Sequence, residues 1–435
     1  MRDAGPGKDD GKWPYYQMER LDIYNRYVQD LLSSWQAYYA WESSEELTAM
    51  RDLAHKQKKA FNYRKPDYTD DQIARYKAEW RVPVVRFAVP YWQSAKEIVF
   101  EDMIKGETRF NTNDIGDFVI VKSDGVPTFY LANAVDDALH EITHVIRGED
   151  HLSNVPKQVL LYEAMWFDVP VFGHLPLMLN PSGKKMSKRD TDIWLTLVHQ
   201  FREEWFLPEA VLNFIALIGW NPWTEQEIFS RDELIESFSM ERVQKSNAVY
   251  DFKRGLWFNA EHIKRLSDEE FTTRVQDFLQ LYGGERWMEI IEVSDLTYRH
   301  KFAEHIKVRI QTFGQFKEHC YYFFERPVVN DTITEMVNNP KMKVTPELTK
   351  SRLPWLMHLL EHLSDEQWDL ETIKEELFAF IKAHELKNGQ VLWPVRCMLT
   401  GVQASPWAFE MLDVLGKEES LLRLEEYKRL IETII

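Results

Sequence analysis

Strand-like runs occur only in the first 190 residues of this chain, and beyond them the pattern turns helical, so the fold must join an α/β part to an all-α part. Short β-like runs begin at residue 82 with V-P-V-V-R-F-A-V, followed by E-I-V-F and D-F-V-I-V. Gly, Asn and Asp clusters punctuate them, as in a small mixed domain. Residues 128–131 and 142–147 read as core strands of a further unit, with helices expected at 134–140 and 156–166. That alternation points to a parallel sheet with crossovers. Upstream, residues 15–34 carry Leu21, Tyr24, Tyr27, Val28, Leu31 and Leu32 at helical spacing. A second helix from 44 to about 59 is opened by the capping sequence S-S-E-E. Residues 191–219 are apolar at helical spacing with a break at Pro208, and nearly every segment from 268 onward reads as helix. Joints are expected near 128, near 191, at 263–267 and near 327.

The length of 435 residues suits two to four domains. No apolar run reaches the roughly 18–20 residues that span a bilayer. The nearest, 210–220, is short, contains Asn213, and reads as a buried helix. The opening M-R-D-A-G-P-G-K-D-D-G has no apolar core and is not a secretory signal. Cys320 and Cys397 lie far apart without metal-ligand spacing, which suits two ordinary thiols in a reducing cytoplasm. The net charge of −17 argues against indiscriminate binding of nucleic acid. Between Arg51 and Arg86 the balance reverses, with ten Lys or Arg against five Asp or Glu. Tyr63, Tyr68, Tyr76 and Trp80 are interleaved there. Cations with aromatics suit a single-stranded RNA end, and a solvated helix face with packed aromatics would read the same way.

Residues 179–190 read L-N-P-S-G-K-K-M-S-K-R-D. Small residues and a proline open a loop, and Lys184, Lys185, Lys188 and Arg189 then crowd around the hydroxyl of Ser187. Such a loop suits a polyphosphate whose negative charge rises during reaction, because each well-placed donor contributes roughly 3–4 kcal/mol in a transition state. A solvated basic turn would look the same in isolation.

The loop and its flank F-G-H-L-P-L-M resemble the second nucleotide-binding signature of class I aminoacyl-tRNA synthetases, in the form of the glutamyl branch. Four other blocks resemble the bacterial-type glutamyl-tRNA synthetases in the family's order. They are P-Y-Y-Q-M-E-R-L-D-I-Y (14–24), D-F-V-I-V-K-S-D-G-V-P-T-F-Y-L-A-N-A-V-D-D (117–137), I-T-H-V-I-R-G-E-D-H-L-S-N (142–154) and W-P-V-R-C-M-L-T-G (393–401). The resemblance implies a Rossmann-type α/β class I catalytic core, N-terminally truncated, with an inserted α+β acceptor-stem domain and an all-α anticodon-binding region. It divides the chain into a catalytic remnant (1–22), the insert (23–127), the second half of the core (128–190), a helical stem-contact region (191–265) and the anticodon-binding region (266–435).

The implied reaction joins ATP and glutamate into a glutamyl adenylate and passes the acyl group to the 3′ end of tRNA(Glu). Lys185, Ser187, Lys188 and Arg189 are then the catalytic group, with Lys188 also an ATP contact. Leu177 and Met178 match a backbone edge that receives adenine, and Asp150 an acidic position close to ATP. Phe129, Asn133 and Arg147 match positions that bind glutamate. A guanidinium grips a carboxylate through paired hydrogen bonds, favouring glutamate over glutamine. An ordinary ion pair at Arg147, and caps at Asn133 and Asp150, are the structural alternatives. Lys56, Lys58, Lys59, Arg64 and Lys65 are the candidate tRNA contacts. Mg²⁺ is expected to accompany ATP, and the resemblance implies a cytoplasmic monomer.

Three departures qualify the match. The opening strand, Arg-bearing loop and His-x-Gly-x motif of the family have no counterpart here. G-H-L-P at Gly173 precedes the lysine loop and is in the wrong place. A core lacking its central first strand is expected to expose apolar strand edges. Phe129 stands where many relatives carry a tyrosine, and Ala40 and Glu42 in A-Y-Y-A-W-E stand near where many relatives place zinc-binding cysteines, so no structural zinc is expected. The competing reading is a non-catalytic tRNA-binding paralogue or a fragment of the same family.

Overall fold

The computed structural model describes residues 14–186 and 197–434, apart from 283, 295, 329–330 and 404. The chain divides into two compact units. The first comprises residues 1–186 with 218–224 and 237–249, and the second the remainder.

The first unit opens with helix α1 (Leu21–Ser33), which buries Tyr24, Val28 and Leu31 on one face. Its entry is fixed by Asp136, whose carboxylate accepts from Arg20 Nε and from the Tyr24 hydroxyl, both at 2.7 Å. Strand β1 (Ala37–Ala40) follows, then helices α2 (Ser44–Lys56) and α3 (Asp70–Ala78). The expected cap of α2 forms as a reciprocal box between Ser43 and Glu46. Strands β2 (Val84–Phe87), β3 (Glu97–Asp102), β4 (Gly106–Asn111) and β5 (Phe118–Val121) come next. β1, β2 and β5 form an antiparallel sheet in which Phe87 faces both Ala37 and Phe118.

Helix α4 (Phe129–Leu139), strand β6 (His144–Gly148), helix α5 (Val155–Ala164) and strand β7 (Val171–Leu175) complete the α/β part. β6 and β7 are parallel with α5 as their crossover, whereas the expected pair was 128–131 with 142–147 across a helix at 134–140. The strand expected at 128–131 is instead the first turn of α4. T-F-Y-L has strand-forming side chains, but Leu131, Ala132, Ala134 and Val135 are buried at helical spacing, and packing overrides local preference. Asn133 therefore lies inside a helix and not at a strand-to-helix turn.

The second sheet has the order β4–β3–β7–β6, so the β3–β4 hairpin extends the parallel pair across the joint expected near 128. Among the described residues β6 pairs on one side only, and Ile146 on it is 50% exposed, as expected of an apolar edge. A short parallel pair joins β8 (Met178–Leu179) to β9 (Ala248–Val249).

Every regular element named in the second unit's described residues is a helix. Helix α6 (Val198–Glu203) ends before the predicted break, and α7 (Pro208–Gly219) starts at Pro208. Helices α8 (Arg231–Ser237) and α9 (Phe252–Arg265) precede a bundle running from α10 (Asp268–Tyr282) to α18 (Ala408–Ile434). Its core holds Phe271, Phe302, Phe313 and Phe316, with Trp287 stacked on Phe324 at 4.8 Å. Cys320 and Cys397 are free thiols buried in this core. No helix among the described residues is long and apolar enough to cross a membrane.

Candidate active site

The parallel register of β6 and β7 sets Arg147 beside His174. Arg147 Nε donates to His174 Nε2 at 3.3 Å, and Nη2 donates to Gln158 Oε1 at 2.7 Å and to the His151 carbonyl at 3.4 Å. Gln158, buried on α5, turns its amide nitrogen to Asn133 Oδ1 on α4. Behind Arg147, His174 Nδ1 donates to Asp102 Oδ2 at 2.5 Å at the end of β3. Each direct partner of the Arg147 guanidinium is neutral, and no ion pair to it occurs among the described residues. The carboxyl groups of Asp137 and Asp150 act on it only through space. Burial pulls the Arg147 pKa below its ordinary value. A half-buried cation without a bonded anion is costly, and an incoming carboxylate offsets that cost. Asp137, facing the Tyr162 hydroxyl at 3.4 Å, has its carboxyl pushed up by burial.

Phe129, the first residue of α4, is 49% exposed, with its ring against Tyr130 and His151. Tyr130 keeps its hydroxyl near Lys157 Nζ (3.2 Å) and Asn154 Oδ1 (3.4 Å), so the neighbouring phenol has protein partners of its own.

The described part of the lysine-rich loop is a closed turn. Asn180 Oδ1 accepts from Ser182 N, Ser182 Oγ and Lys184 N, while Asn180 N donates to the Lys184 carbonyl at 2.7 Å. Gly183 supplies the left-handed residue with φ of 78°. The turn sends Lys185 to Asp150, with Nζ and Oδ2 at 2.6 Å. Lys185 accordingly holds the Asp150 carboxyl below its usual range. A side chain at Gly148 would place Cβ 2.6 Å from Asp150 Oδ1, so glycine there lets the acid fold back over the strand end. Ser187, Lys188 and Arg189 lie outside the described residues. The Leu177 amide donates to Asn247 Oδ1 at 2.8 Å, its carbonyl accepts from Ala248, and the Met178 carbonyl accepts from Met186. Much of that backbone edge is engaged within the protein.

The cation-rich segment separates into two kinds of residue. Lys56, Lys58 and Lys59 are exposed at the end of α2, with Lys58 in the left-handed region. Arg64 turns inward, donating to the carbonyls of Thr112, Asn113 and Ile115 and to Asp117, with its guanidinium 4.5 Å from the Tyr91 ring. Lys65 is exposed, its ammonium 5.4 Å from the rings of Trp35 and Tyr38. Asp117 is the buried hub, also accepting from Tyr38 Oη, Lys65 N and Val89 N. The Glu42 carboxylate is engaged by the hydroxyls of Tyr63 (2.5 Å) and Tyr68 (2.7 Å).

The structure thus brings together Arg147 with Asn133 through Gln158, and Lys185 with Asp150. Gln158, His174 and Asp102 were not singled out from sequence. The available signals were a polar residue inside the apolar run V-P-K-Q-V-L-L-Y, and a histidine in G-H-L-P read only as a displaced motif.

Residues 7–257 match the family described as tRNA synthetases class I (E and Q), catalytic domain, and residues 270–428 match the anticodon binding domain. A glutamate–tRNA ligase of Halalkalibacterium halodurans is 38% identical over 408 residues, covering 93% of this chain and 81% of the relative. The crystal structure of a glutamate tRNA ligase from Elizabethkingia meningosepticum, in complex with its amino acid, superposes with a TM-score of 0.80 at 30% identity. The match covers 100% of this chain and 86% of that one. A glutamate-tRNA synthetase from Elizabethkingia anophelis gives 0.76 at 31% identity, covering 98% of this chain and 86% of that one.

Proposed function

The chain belongs to the glutamate–tRNA ligase family of class I synthetases, whose members aminoacylate tRNA(Glu) with glutamate, and from that premise we propose how its own residues carry the reaction. The observation that carries the proposal is the Arg147 guanidinium, half-buried and bonded only to neutral groups. Its Nη1 has no hydrogen-bond partner among the described residues, so an arriving carboxylate finds free donors and removes the desolvation cost. Glutamine, with a neutral amide, would leave that charge unmatched. Asn133 and Phe129 border the same space, and Gln158 connects Asn133 to the arginine.

In the first step a glutamate carboxylate oxygen attacks the α-phosphorus of ATP, which Mg²⁺ accompanies as co-substrate, and pyrophosphate leaves. Lys185, Ser187, Lys188 and Arg189 stabilise the leaving charge. Lys185 is held ready by Asp150 at 2.6 Å, and a polyphosphate would compete for it. The backbone at Leu177 and Met178 borders the adenine. In the second step a terminal tRNA hydroxyl attacks the adenylate carbonyl, releasing AMP. Lys56, Lys58, Lys59 and Lys65 contact RNA phosphates, whereas Arg64 holds the insert together. The enzyme works as a cytoplasmic monomer.

Charging by the 435-residue chain tests this, with ATP, labelled glutamate and tRNA(Glu). Glutamyl-tRNA is expected, and Arg147→Met should need about 100-fold more glutamate to form it while tRNA still binds. Tight tRNA binding with no product from the parent chain would favour the non-catalytic paralogue.

A further inference from the structure

We propose that His174 is a positioning residue for glutamate, fixing the plane and reach of Arg147 through a relay that begins at Asp102. The proposal rests on the reading of Arg147 as the carboxylate-binding group. Asp102 and His174 have fully buried side chains. Asp102 Oδ1 accepts three backbone N–H groups, from Ile104 (3.0 Å), Lys105 (2.9 Å) and His174 itself (3.1 Å). Oδ2 takes the ring at 2.5 Å. An acid ringed by four donors serves as a carboxylate, which puts the imidazole hydrogen on Nδ1 and leaves a lone pair on Nε2. That lone pair faces Arg147 Nε–H at 3.3 Å. Burial lowers the His174 pKa, in keeping with the neutral ring. With Nε held by His174 and Nη2 by Gln158, the guanidinium cannot rotate, and Nη1 is aimed.

Glutamate binding to the full chain, followed by calorimetry with ATP binding as the control, tests the relay. His174→Phe keeps the ring but loses both bonds, and should weaken glutamate about 10- to 100-fold with ATP unchanged. His174→Gln restores an acceptor toward Arg147 and should recover part of the loss. Asp102→Asn presents an amide nitrogen to the ring and inverts the tautomer, setting Nε2–H against Arg147 Nε–H. It should weaken glutamate as well, and serves should His174→Phe fail to fold. If folded His174→Phe and Asp102→Asn bind glutamate within about twofold of the parent while Arg147→Met does not bind, the relay is overturned and the Arg147 reading stands. If the parent binds no glutamate, or Arg147→Met binds it as the parent does, the Arg147 reading itself falls.

A second observation is independent of the site. Six of the ten non-glycine residues with positive φ among the described residues are tryptophans: Trp35, Trp80, Trp92, Trp166, Trp205 and Trp223, with φ of 56–60°. Four of them occupy the same structural position, the left-handed residue that closes a helix. After α1, Trp35 N bonds the Leu32 carbonyl and Gln36 N bonds the Leu31 carbonyl. The equivalent long bonds after α3, α5 and α6 run from Arg81 to Tyr76, Phe167 to Tyr162 and Phe206 to Phe201. Glycine is the usual occupant of that place, because Cβ is strained there. Five of the six indoles are 73–93% exposed, so burial does not offset the strain. The chain has 17 glycines in 435 residues, where average usage of about 7% would give about 30.

Physical chemistry gives no reason for tryptophan over glycine at these turns, and the codon UGA, read as tryptophan in some genetic codes and glycine in others, does. We infer that these six positions are UGA codons decoded as glycine in the source organism. Peptide mass spectrometry of the protein purified from that organism, beside the gene sequence, decides it. Glycine at the six sites is expected; tryptophan there, or UGG codons, overturns it.

Discussion

Arg147 in the first unit and Arg423 in the second are both withdrawn from water, and the difference lies in what meets them. Arg423 Nη1 bonds the carbonyls of Tyr322 and Leu399, both at 2.7 Å, and Nε bonds Glu419 at 2.8 Å. Glu419 is in turn gripped by Arg326. That arginine ties three helices together, and its charge is matched within the bundle. Arg147 is placed as firmly, by an imidazole, an amide and a carbonyl, yet none of these carries a negative charge. A buried charge matched by the protein serves stability, and one positioned but unmatched serves a ligand.

The largest effect lies where charge develops and not where it is stored. Lys188→Ala should lower charging at least about 100-fold with little change in tRNA affinity, because the lost donor acts in the transition state. Equal losses in both would make the loop a tRNA contact. The two arginines come next. Arg147→Met should raise the glutamate KM about 100-fold and leave the melting temperature nearly unchanged. Arg423→Met should cost about 3 kcal/mol of stability and leave the glutamate KM alone. A shared loss of stability with no change in glutamate affinity would erase the distinction.

The same distinction explains what could be read in advance. The strand at 142–147, the helix at 156–166, the break at Pro208 and the helical C-terminal half follow from periodicity and caps, which are local, whereas β7 as the parallel partner does not. Arg147 was marked by its motif, as was Asn133. The strand expected at 128–131 failed because T-F-Y-L resembles a strand until Leu131 and Val135 are seen packing at helical spacing. Asp102 lies 72 residues from His174, and a contact of that kind leaves no periodic trace. Arg64 stood among exposed lysines in the sequence, but its donors meet carbonyls some 50 positions away.

Acid should separate the units less sharply. Burial lowers the pKa of His174 in the first unit and of His262 and His305 in the second. Below the ordinary value of 6.5 the unfolded chain takes up a proton that the folded ring refuses, so stability falls as pH falls toward the depressed folded pKa. Urea unfolding between neutral pH and about pH 5.5 should show that loss. His174→Phe should reduce its slope by the His174 share and leave the contribution of the helical half intact. An unchanged slope would mean that the ring takes up its proton over the same pH range in the folded and unfolded chain, which its burial and the bond from Arg147 Nε oppose.

The smallest effect is expected at residues 56–65 of the first unit, where the comparison recurs on one short segment. Lys58 and Lys59 project into water, and replacing both with Gln should weaken tRNA binding several-fold at low salt. It should also flatten the slope of log affinity against log salt by about 2, near one unit per phosphate contact released. Arg64→Gln should leave that slope unchanged and instead cost about 1–2 kcal/mol, through lost bonds to Ile115, Asn113 and Asp117. If Arg64→Gln flattens the slope as the lysine pair does, its inward bonds open when RNA arrives. The partition between matched and unmatched charge would then belong to the free protein alone.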